Sequence, residues 1–177
     1  GAVASFSLGQ KLSTGMTSWK VFDSGQVSLG GGLYAKCMNG LHVVDMGGVP
    51  DSNNTGTTGT DNAAVINEAL SIAKQGDAIK LSPGFWGISS HLEERTNGKR
   101  LKISGYGQKN THIICLNGFT SAARGYMCWF GTQTGHGSYG LRMNDITLNA
   151  NNIAVGCLFV GENGQGKVDN CEFRNFL

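Results

Sequence analysis

The sequence predicts a mostly β chain in which short strands stack as repeats, with a single helix and a distinct N-terminal segment. Glycine supplies 28 of the 177 residues and charged residues only 15%, so turn-forming residues interrupt the apolar runs at short intervals. Only one stretch has helical periodicity. A polar–apolar pattern at residues 144–149 also recurs 25 residues later, at residues 169–174. A repeat of that length is typical of stacked strands, and a β-sandwich is the alternative interpretation.

The N-terminal segment, residues 1–40, differs in composition from the remainder. Apolar and polar residues alternate at residues 19–21 and again at 27–29, with the turn signal DSG between them. This pattern predicts a hairpin. The segment is too short to bury a core of its own, and its large apolar side chains are too many to leave in water. We therefore expect it to pack against the following domain or against another chain.

The one predicted helix spans residues 61–75 and follows a polar loop at residues 51–60. Thr60 or Asp61 is available as the N-terminal cap. Apolar residues then recur at three- and four-residue steps, and Gly76 provides the C-terminal stop. The residues predicted to form the buried interface of this helix are Ala63, Ile66, Leu70 and Ala73.

Beyond the helix, short apolar runs alternate with Gly, Asn and Pro-Gly corners, which predicts strands throughout. The predicted strands are residues 78–81, 85–88, 101–103, 111–116, 126–130, 140–143, 146–148, 154–160 and 168–176. Two charged groups, at residues 93–95 and 99–100, are predicted to be solvated turns.

Charge and residue spacing argue against several classes of function. The net charge is only +2, without the basic stripe that nucleic-acid binding needs. No apolar run approaches the roughly 18 residues of a membrane span, so no membrane insertion is expected. The four histidines lack metal-binding spacing, and we expect no metal and no cofactor. The five cysteines are predicted to be buried reduced thiols, which suits folding in a reducing cytosol.

Four segments, in order, carry a resemblance to a known family. Residues 44–51 (VDMGGVPD) are similar to its first strand, and residues 60–66 (TDNAAVI) to the start of its capping helix. Residues 79–88 (IKLSPGFWGI) resemble its first coil, and residues 103–107 (ISGYG) its strand-Gly-x-Gly corner. The family is that of the pectate-lyase-like right-handed parallel β-helix proteins, and within it the tailspikes and tail fibres of bacteriophages.

The resemblance runs from about Val43 to the last residue, with three departures. Met46 stands where the family has an aromatic residue, Gly48 where it has alanine, and Asn62 where it has a second aspartate. The implied fold is an all-β, right-handed parallel β-helix over residues 41–177, whose first coils are capped by the amphipathic helix. A small β-rich segment precedes it.

The family's polysaccharide-cleaving members use outward-facing carboxylates of neighbouring coils, which makes Asp145, Asp169 and Glu172 the catalytic candidates. The 25-residue offset places Asp145 above Asn170 and Thr147 above Glu172. The alternative, which we favour, is that these are solvated corner residues and that catalysis belongs to a distal part. The candidates for stacking on sugar rings are Trp86, Trp129 and Tyr139, although the apolar surroundings of both tryptophans favour the core.

The resemblance implies the N-terminal portion of a viral tail protein. Residues 1–40 would attach to phage tail or baseplate proteins and contact the other chains of a homotrimer. A distal part would bind, and cleave, bacterial surface polysaccharide. The expected location is the virion, after assembly in the host cytoplasm. The alternatives are an extracellular polysaccharide lyase or glycoside hydrolase of cellular origin, or a surface adhesin without catalysis.

Overall fold

The computed structural model describes residues 19–21, 27–29, 33–35, 40–94, 100–120, 125–131, 140–161 and 166–177. Within these ranges the chain is mostly β. It contains three parallel sheets, one antiparallel sheet, one α-helix and one short 3-10 helix. The helix and the parallel sheets together place the polar side chains discussed below.

The antiparallel sheet belongs to the N-terminal segment. Its strands are β1 (Trp19–Val21), β2 (Val27–Leu29) and β3 (Leu33–Ala35), in that order. Trp19 lies opposite Leu29, which confirms the predicted hairpin. The sequence did not predict β3, because its three residues follow a glycine run that breaks the alternation. The assignment of residues 1–40 as a separate unit stays a prediction.

Three parallel sheets hold the remaining strands. The first contains β4 (Leu41–His42), β5 (Ala78–Lys80), β8 (Lys102–Ser104), β11 (Arg142–Asn144) and β14 (Lys167–Asp169). The second contains β6 (Gly84–Ser90), β9 (Thr111–Thr120), β12 (Thr147–Asn149) and β15 (Glu172–Arg174). The third contains β7 (Leu92–Glu94), β10 (Tyr126–Phe130) and β13 (Gly156–Val160). From β5 onward, each strand therefore pairs with the strand three places along the chain.

The predicted 25-residue register is confirmed between the last strands. Asn144 pairs with Asp169 in the first sheet, and Thr147 pairs with Glu172 in the second. The predicted strand at residues 168–176 is divided in two, β14 and β15. The chain turns between them at Asn170, whose φ of 48° is left-handed, a conformation that asparagine tolerates better than most residues.

The helix α1 spans Ala63–Ile72, shorter than the predicted 61–75. It begins late because the Asp61 Oδ1 atom accepts the backbone N–H of Ala63 at 3.0 Å, which holds the preceding residues in a turn. It ends early because Ala73 is extended, with ψ at 137°. The helix packs against β6, β7 and the 3-10 helix. The four residues predicted for its interface, Ala63, Ile66, Leu70 and Ala73, are all buried.

Two asparagines, one just before the helix and one within it, bond to the backbone of neighbouring segments. Asn62 is fully buried, and its side-chain amide both accepts from the Val49 N–H at 2.8 Å and donates to the Val49 carbonyl at 2.9 Å. Asn67 does the same along β7, donating to the His91 carbonyl at 3.0 Å and accepting from the Glu93 N–H at 2.9 Å. Because β7 is the edge strand of the third sheet, Asn67 pairs backbone groups that the edge would otherwise leave open.

Two predictions about local structure are wrong. Residues 44–51 begin not with a strand but within a 3-10 helix, Val43–Met46, which closes on Gly47 in the left-handed conformation (φ 100°). The charged residues expected in a solvated turn include Glu93 and Glu94, which instead belong to β7 and pair with β10. Glu94 is buried.

The core consists of columns of side chains that stack from strand to strand. In the first sheet the column is Leu41, Ile79, Ile103 and Met143, all buried. In the second sheet it is Trp86, Ile113 and Leu148, also buried. Such stacking buries apolar area in each layer and so stabilises the fold.

The polar loop at residues 51–60 lies along the second sheet. Asn117 donates its N–H to the Gly56 carbonyl at 2.9 Å, and the Asn151 side chain donates to the Thr55 carbonyl at 2.8 Å. Gly56 has a left-handed φ of 63°, and a Cβ there would lie 2.3 Å from the Cys115 carbonyl oxygen. Only glycine therefore allows the loop to approach the strand this closely.

Candidate functional site

The candidate carboxylates Asp145 and Glu172 belong to different parts of the strand stack and have different hydrogen-bond partners. Asp145 comes directly after β11, and Glu172 is the first residue of β15. Asp145 follows β11 at a left-handed corner with φ at 62°, and its Oδ1 accepts from the Asn170 side chain at 2.6 Å. Its Oδ2 accepts from the neighbouring Asn144. Glu172, in β15, accepts from Arg174 at 2.5 Å and from the Thr147 hydroxyl at 3.4 Å. The third candidate, Asp169, forms an exposed ion pair with Lys167 at 2.8 Å.

The hydrogen bonds favour the ionised form of these two carboxylates. Those from Asn170 and Asn144 hold the pKa of Asp145 below its ordinary value. The bond from Arg174 does the same for the pKa of Glu172. A general acid in glycoside hydrolysis needs the opposite shift, a raised pKa that keeps its proton near neutral pH. The described surroundings of Asp145 and Glu172 therefore suit structural and ligand-binding carboxylates better than an acid and base pair.

Two of the three aromatic candidates for sugar stacking lie in the described residues, and both belong to the core, which the sequence favoured. Trp86 is fully buried in the core, and its indole N–H donates to the Ser82 carbonyl at 2.9 Å. Trp129 is also buried, with its ring edge-on to Phe159 at a centroid separation of 5.2 Å. Neither tryptophan presents a ring face on which a sugar could stack, because packing covers both. Tyr139 lies outside the described residues.

Sequence reasoning missed a group of cations on the first sheet. Lys102, Arg142 and Lys167 occupy the same register position in β8, β11 and β14, and all three are exposed. Arg100, two residues before Lys102, is exposed beside them. The offset between β8 and β11 is 40 residues, so the 25-residue repeat in the sequence does not predict that these two strands pair. We call Arg100, Lys102 and Arg142 the cation cluster.

Two adjoining surface depressions share Lys102 and Arg142. The first has a volume of about 290 Å³ and is lined by Gly76, Arg100, Leu101, Lys102, Gly140 and Arg142. The second has a volume of about 240 Å³ and is lined by Lys102, Arg142, Met143, Asn144, Asp145, Lys167 and Asp169. Every charged side chain in the described lining of the first depression is a cation. The lining of the second depression combines cations with carboxylates and an amide.

The described histidines make local contacts of different kinds. His112 stacks on Phe85 with the ring centroids 4.6 Å apart, and His91 Nε2 lies 3.1 Å from Glu93 Oε2. His136 lies outside the described residues. No three His, Cys, Asp or Glu side chains in the described ranges converge as a metal site would require. In the same part of the chain, no helix has the length and apolar character needed to cross a membrane.

The thiols are mostly buried, as the sequence predicted. Cys115, Cys128 and Cys157 are buried and free, and Cys171 is half-buried. Burial raises the pKa of Cys115, Cys128 and Cys157, which keeps these thiols protonated and poorly nucleophilic. Cys37 lies outside the described residues.

Comparison with known proteins adds one similarity. No protein-family model and no curated protein matches the sequence. A solved structure described as ORF18 of Geobacillus virus E2 is similar, with a TM-score of 0.49 and 14% sequence identity. The match covers 89% of this chain and 31% of that phage protein, so this chain spans less than a third of its length. A likeness of this size supports no transfer of fold or function.

Proposed function

We propose that this chain is the N-terminal portion of a phage tailspike or tail fibre, built as a capped right-handed parallel β-helix. The observation that carries the proposal is the strand order, in which every third strand from β5 onward pairs in parallel within one of three sheets. A chain wound in coils of three strands produces this order. The apolar face of α1, with Leu70 fully buried, fits a cap on the first coils. The four segments that resemble the family also occur in the same order as in that family.

In this proposal the N-terminal segment attaches the spike to the virion and contributes to a homotrimer. Its described part, the antiparallel sheet β1 to β3, has only three-residue strands. A sheet this small needs a packing partner to be stable. Three copies around an axis would bury its apolar residues in a closed assembly. The partners are then two further copies and the phage tail or baseplate proteins.

Polysaccharide binding and cleavage are assigned to a distal part of the protein. The ionised state of Asp145 and Glu172 supports this division, since neither is poised as a general acid. The chain alone is expected to leave capsule and lipopolysaccharide intact in reducing-end and unsaturated-product assays. If instead it cleaves them, and cleavage disappears in Asp145→Asn or Glu172→Gln, the chain is a polysaccharide lyase or glycoside hydrolase rather than a presenting segment.

The assembly role is tested by light scattering on the full chain and on a variant that lacks residues 1–40. The expected result is a trimer at micromolar concentration that dissociates to monomers when the segment is removed. Circular dichroism of the shortened chain controls for its folding. A full chain that is monomeric would contradict the assembly role. Labelling of virions with an antibody against this chain, seen by electron microscopy at the tail, separates a viral protein from a cellular adhesin.

A further inference from the structure

We propose that Asn117 is a site of self-modification, where the folded chain converts its own asparagine to aspartate and isoaspartate and thereby loosens strand β9. The proposal is independent of the phage assignment, because it concerns only the backbone of β9 and one side chain in it. It rests on three features of that strand: the residue that follows Asn117, the loss of strand pairing around it, and the exposure of its side chain.

The first feature is the pair Asn117–Gly118. The side-chain carbon of an asparagine can be attacked by the backbone nitrogen of the next residue, which closes a five-membered ring. A side chain on that next residue hinders the attack, and glycine has none. The sequence has four Asn-Gly pairs, at residues 39–40, 97–98, 117–118 and 163–164. The structure describes both residues of only the third pair.

The second feature is a bulge in β9 that contains this pair. In the pairing of β9 with β6, the four residues 116–119 stand opposite a single residue, Ser89. On the other side of β9, the pairing with β12 ends at Ile114. A bulge of this kind disrupts the hydrogen-bond ladder locally. The registers therefore pair Gly118 with neither neighbouring strand, and its φ of 89° is left-handed, which glycine readily allows.

The third feature is the access of the reacting groups. Asn117 and Gly118 are both exposed. Among the described residues, the side-chain amide of Asn117 has no hydrogen-bond partner, so no bond must break before it turns toward Gly118. A Cβ at Gly118 would meet no atom within 4 Å, so water reaches this side of the pair. The backbone around the pair is held, because Asn117 donates its N–H to the Gly56 carbonyl at 2.9 Å and Phe119 is buried.

The reaction needs no reagent except water. The backbone nitrogen of Gly118 gives its proton to solvent and bonds to the side-chain carbon of Asn117, and the side-chain nitrogen leaves as ammonia. Water then opens the resulting succinimide at one of its two carbonyls. One opening gives aspartate, and the other gives isoaspartate, whose backbone runs through the side-chain carbon. Each event consumes one water, releases one ammonium ion and creates one carboxylate, so that the net charge falls by one from +2.

The isoaspartate product changes the path of the backbone. It inserts an additional methylene between the Asn117 N–H, which is bonded to Gly56, and the buried ring of Phe119. One of these two attachments must then shift, and close-packed interiors tolerate such shifts poorly. The aspartate product keeps the backbone unchanged and places its charge at an exposed position, so it should leave the fold as stable as before.

The test is ageing of the folded full chain in mildly alkaline buffer, followed by peptide mapping by mass spectrometry. Methylation by an isoaspartyl methyltransferase identifies the isoaspartate. Asn110 is the internal reference, because it is also exposed, but its side chain donates to the Tyr106 carbonyl at 3.0 Å and the β-branched Thr111 follows it. Conversion at Asn117 should exceed that at Asn110 by about tenfold or more, since misplaced reacting atoms cost a rate factor of that order.

Two outcomes of the mapping would overturn the proposal. The first is an Asn117 that stays intact in the folded chain while it converts in urea, which would mean that the bulge protects the pair. The second is equal conversion at Asn110, which would mean that the bulge confers no selectivity.

The matched variant is Asn117→Gln, which keeps the amide but requires a six-membered ring that closes more slowly. It should form no isoaspartate at residue 117, and on ageing its unfolding temperature should fall less than that of the parent chain. Asn117→Asp carries the charge of the product on an unlengthened backbone, and before ageing it should unfold at the temperature of the parent. An equal fall on ageing in the parent and in Asn117→Gln would overturn the proposed loosening of β9.

Discussion

Apolar side chains at matching positions of neighbouring strands differ widely in exposure, depending on how close the strand lies to the end of its sheet. In the first sheet, Met143 of β11 is 1% exposed, whereas Val168 in the next strand of the same column is 45% exposed. In the second sheet, Leu148 is fully buried and its neighbour Phe173 is 39% exposed. At the opposite end, α1 packs against β6, β7 and the 3-10 helix. Burial in this molecule depends on the layer that covers a residue as much as on the residue itself.

The two ends also differ in what covers their hydrogen-bonding and apolar groups. At the helix end, Asn62 and Asn67 pair with backbone N–H and carbonyl groups of neighbouring segments. At the other end, an apolar depression of about 450 Å³ lies open and is lined by residues that include Val168, Phe173 and Phe176. The helix therefore covers both apolar and hydrogen-bonding groups of the segments on which it packs.

The largest expected effect is at the buried face of α1. Leu70→Asp places an unpaired charge at a fully buried position of α1, so the free energy of unfolding should fall by about 4 kcal/mol or more. Ile72→Asp is the matched control, because Ile72 lies in the same helix but is 38% exposed. It should cost about 1 kcal/mol or less. Denaturant unfolding measures both, and equal losses in the two variants would show that the face of α1 that carries Leu70 is not buried.

The second prediction compares two layers of one column. Leu148→Ala removes a fully buried side chain and should lower the free energy of unfolding by about 2–5 kcal/mol. Phe173→Ala removes a larger side chain from the open end, and should cost about 1 kcal/mol or less because solvent already reaches it. Thermal unfolding of the two variants checks the order. A larger loss for Phe173→Ala would mean that this end is covered in solution.

The smallest expected effect concerns the polar start of the helix and depends on pH. Partial burial raises the pKa of Asp61, but the bonds from Ser89 and from the Ala63 N–H outweigh it, and the pKa lies below its ordinary value. A carboxylate with a lowered folded-state pKa stabilises the fold above its unfolded pKa of about 3.9 and loses that contribution as the pH falls through the folded value.

Asp61→Ala should therefore lower the free energy of unfolding by about 1–2 kcal/mol at pH 7, for the loss of partly exposed hydrogen bonds to a charged group. The difference from the parent chain should shrink as the pH is lowered below about 4. Urea unfolding at several pH values measures it. A difference that stayed constant down to pH 3 would show that the hydrogen bonds of the carboxylate are not its source.

Much of the fold followed from local patterns in the sequence. The spacing of Ile66 and Leu70 predicted the helix and its buried face, and the echo between residues 144–149 and 169–174 predicted a register that the strands adopt. The 3-10 helix at Val43–Met46 was missed because its apolar residues are equally compatible with a strand. The structure is decided by the N–H groups of the two following glycines, which donate to the carbonyls of Val43 and Val44.

The candidate site was harder to predict, for a geometric reason. The pairing of Lys102 with Arg142 depends on a 40-residue offset, and the intervening loops make that offset differ from the 25 residues of the next layer. Alternation within a strand shows which side chains share a face but not which strand lies alongside. The exposure of the cations was therefore predictable, and their proximity was not.

The strand register also constrains how the chain reaches this structure. Apart from β1 to β3, every paired strand meets a partner 24 to 40 residues away, and none is joined to its partner by a hairpin turn. Contacts this distant are slow to form, because loop closure precedes the gain from pairing. On a ribosome, however, the helix and the strands beside it emerge before the later strands. The edge strand of each sheet that has already formed can then pair with the next strand to emerge, so that the strands add to the sheets in the order of synthesis.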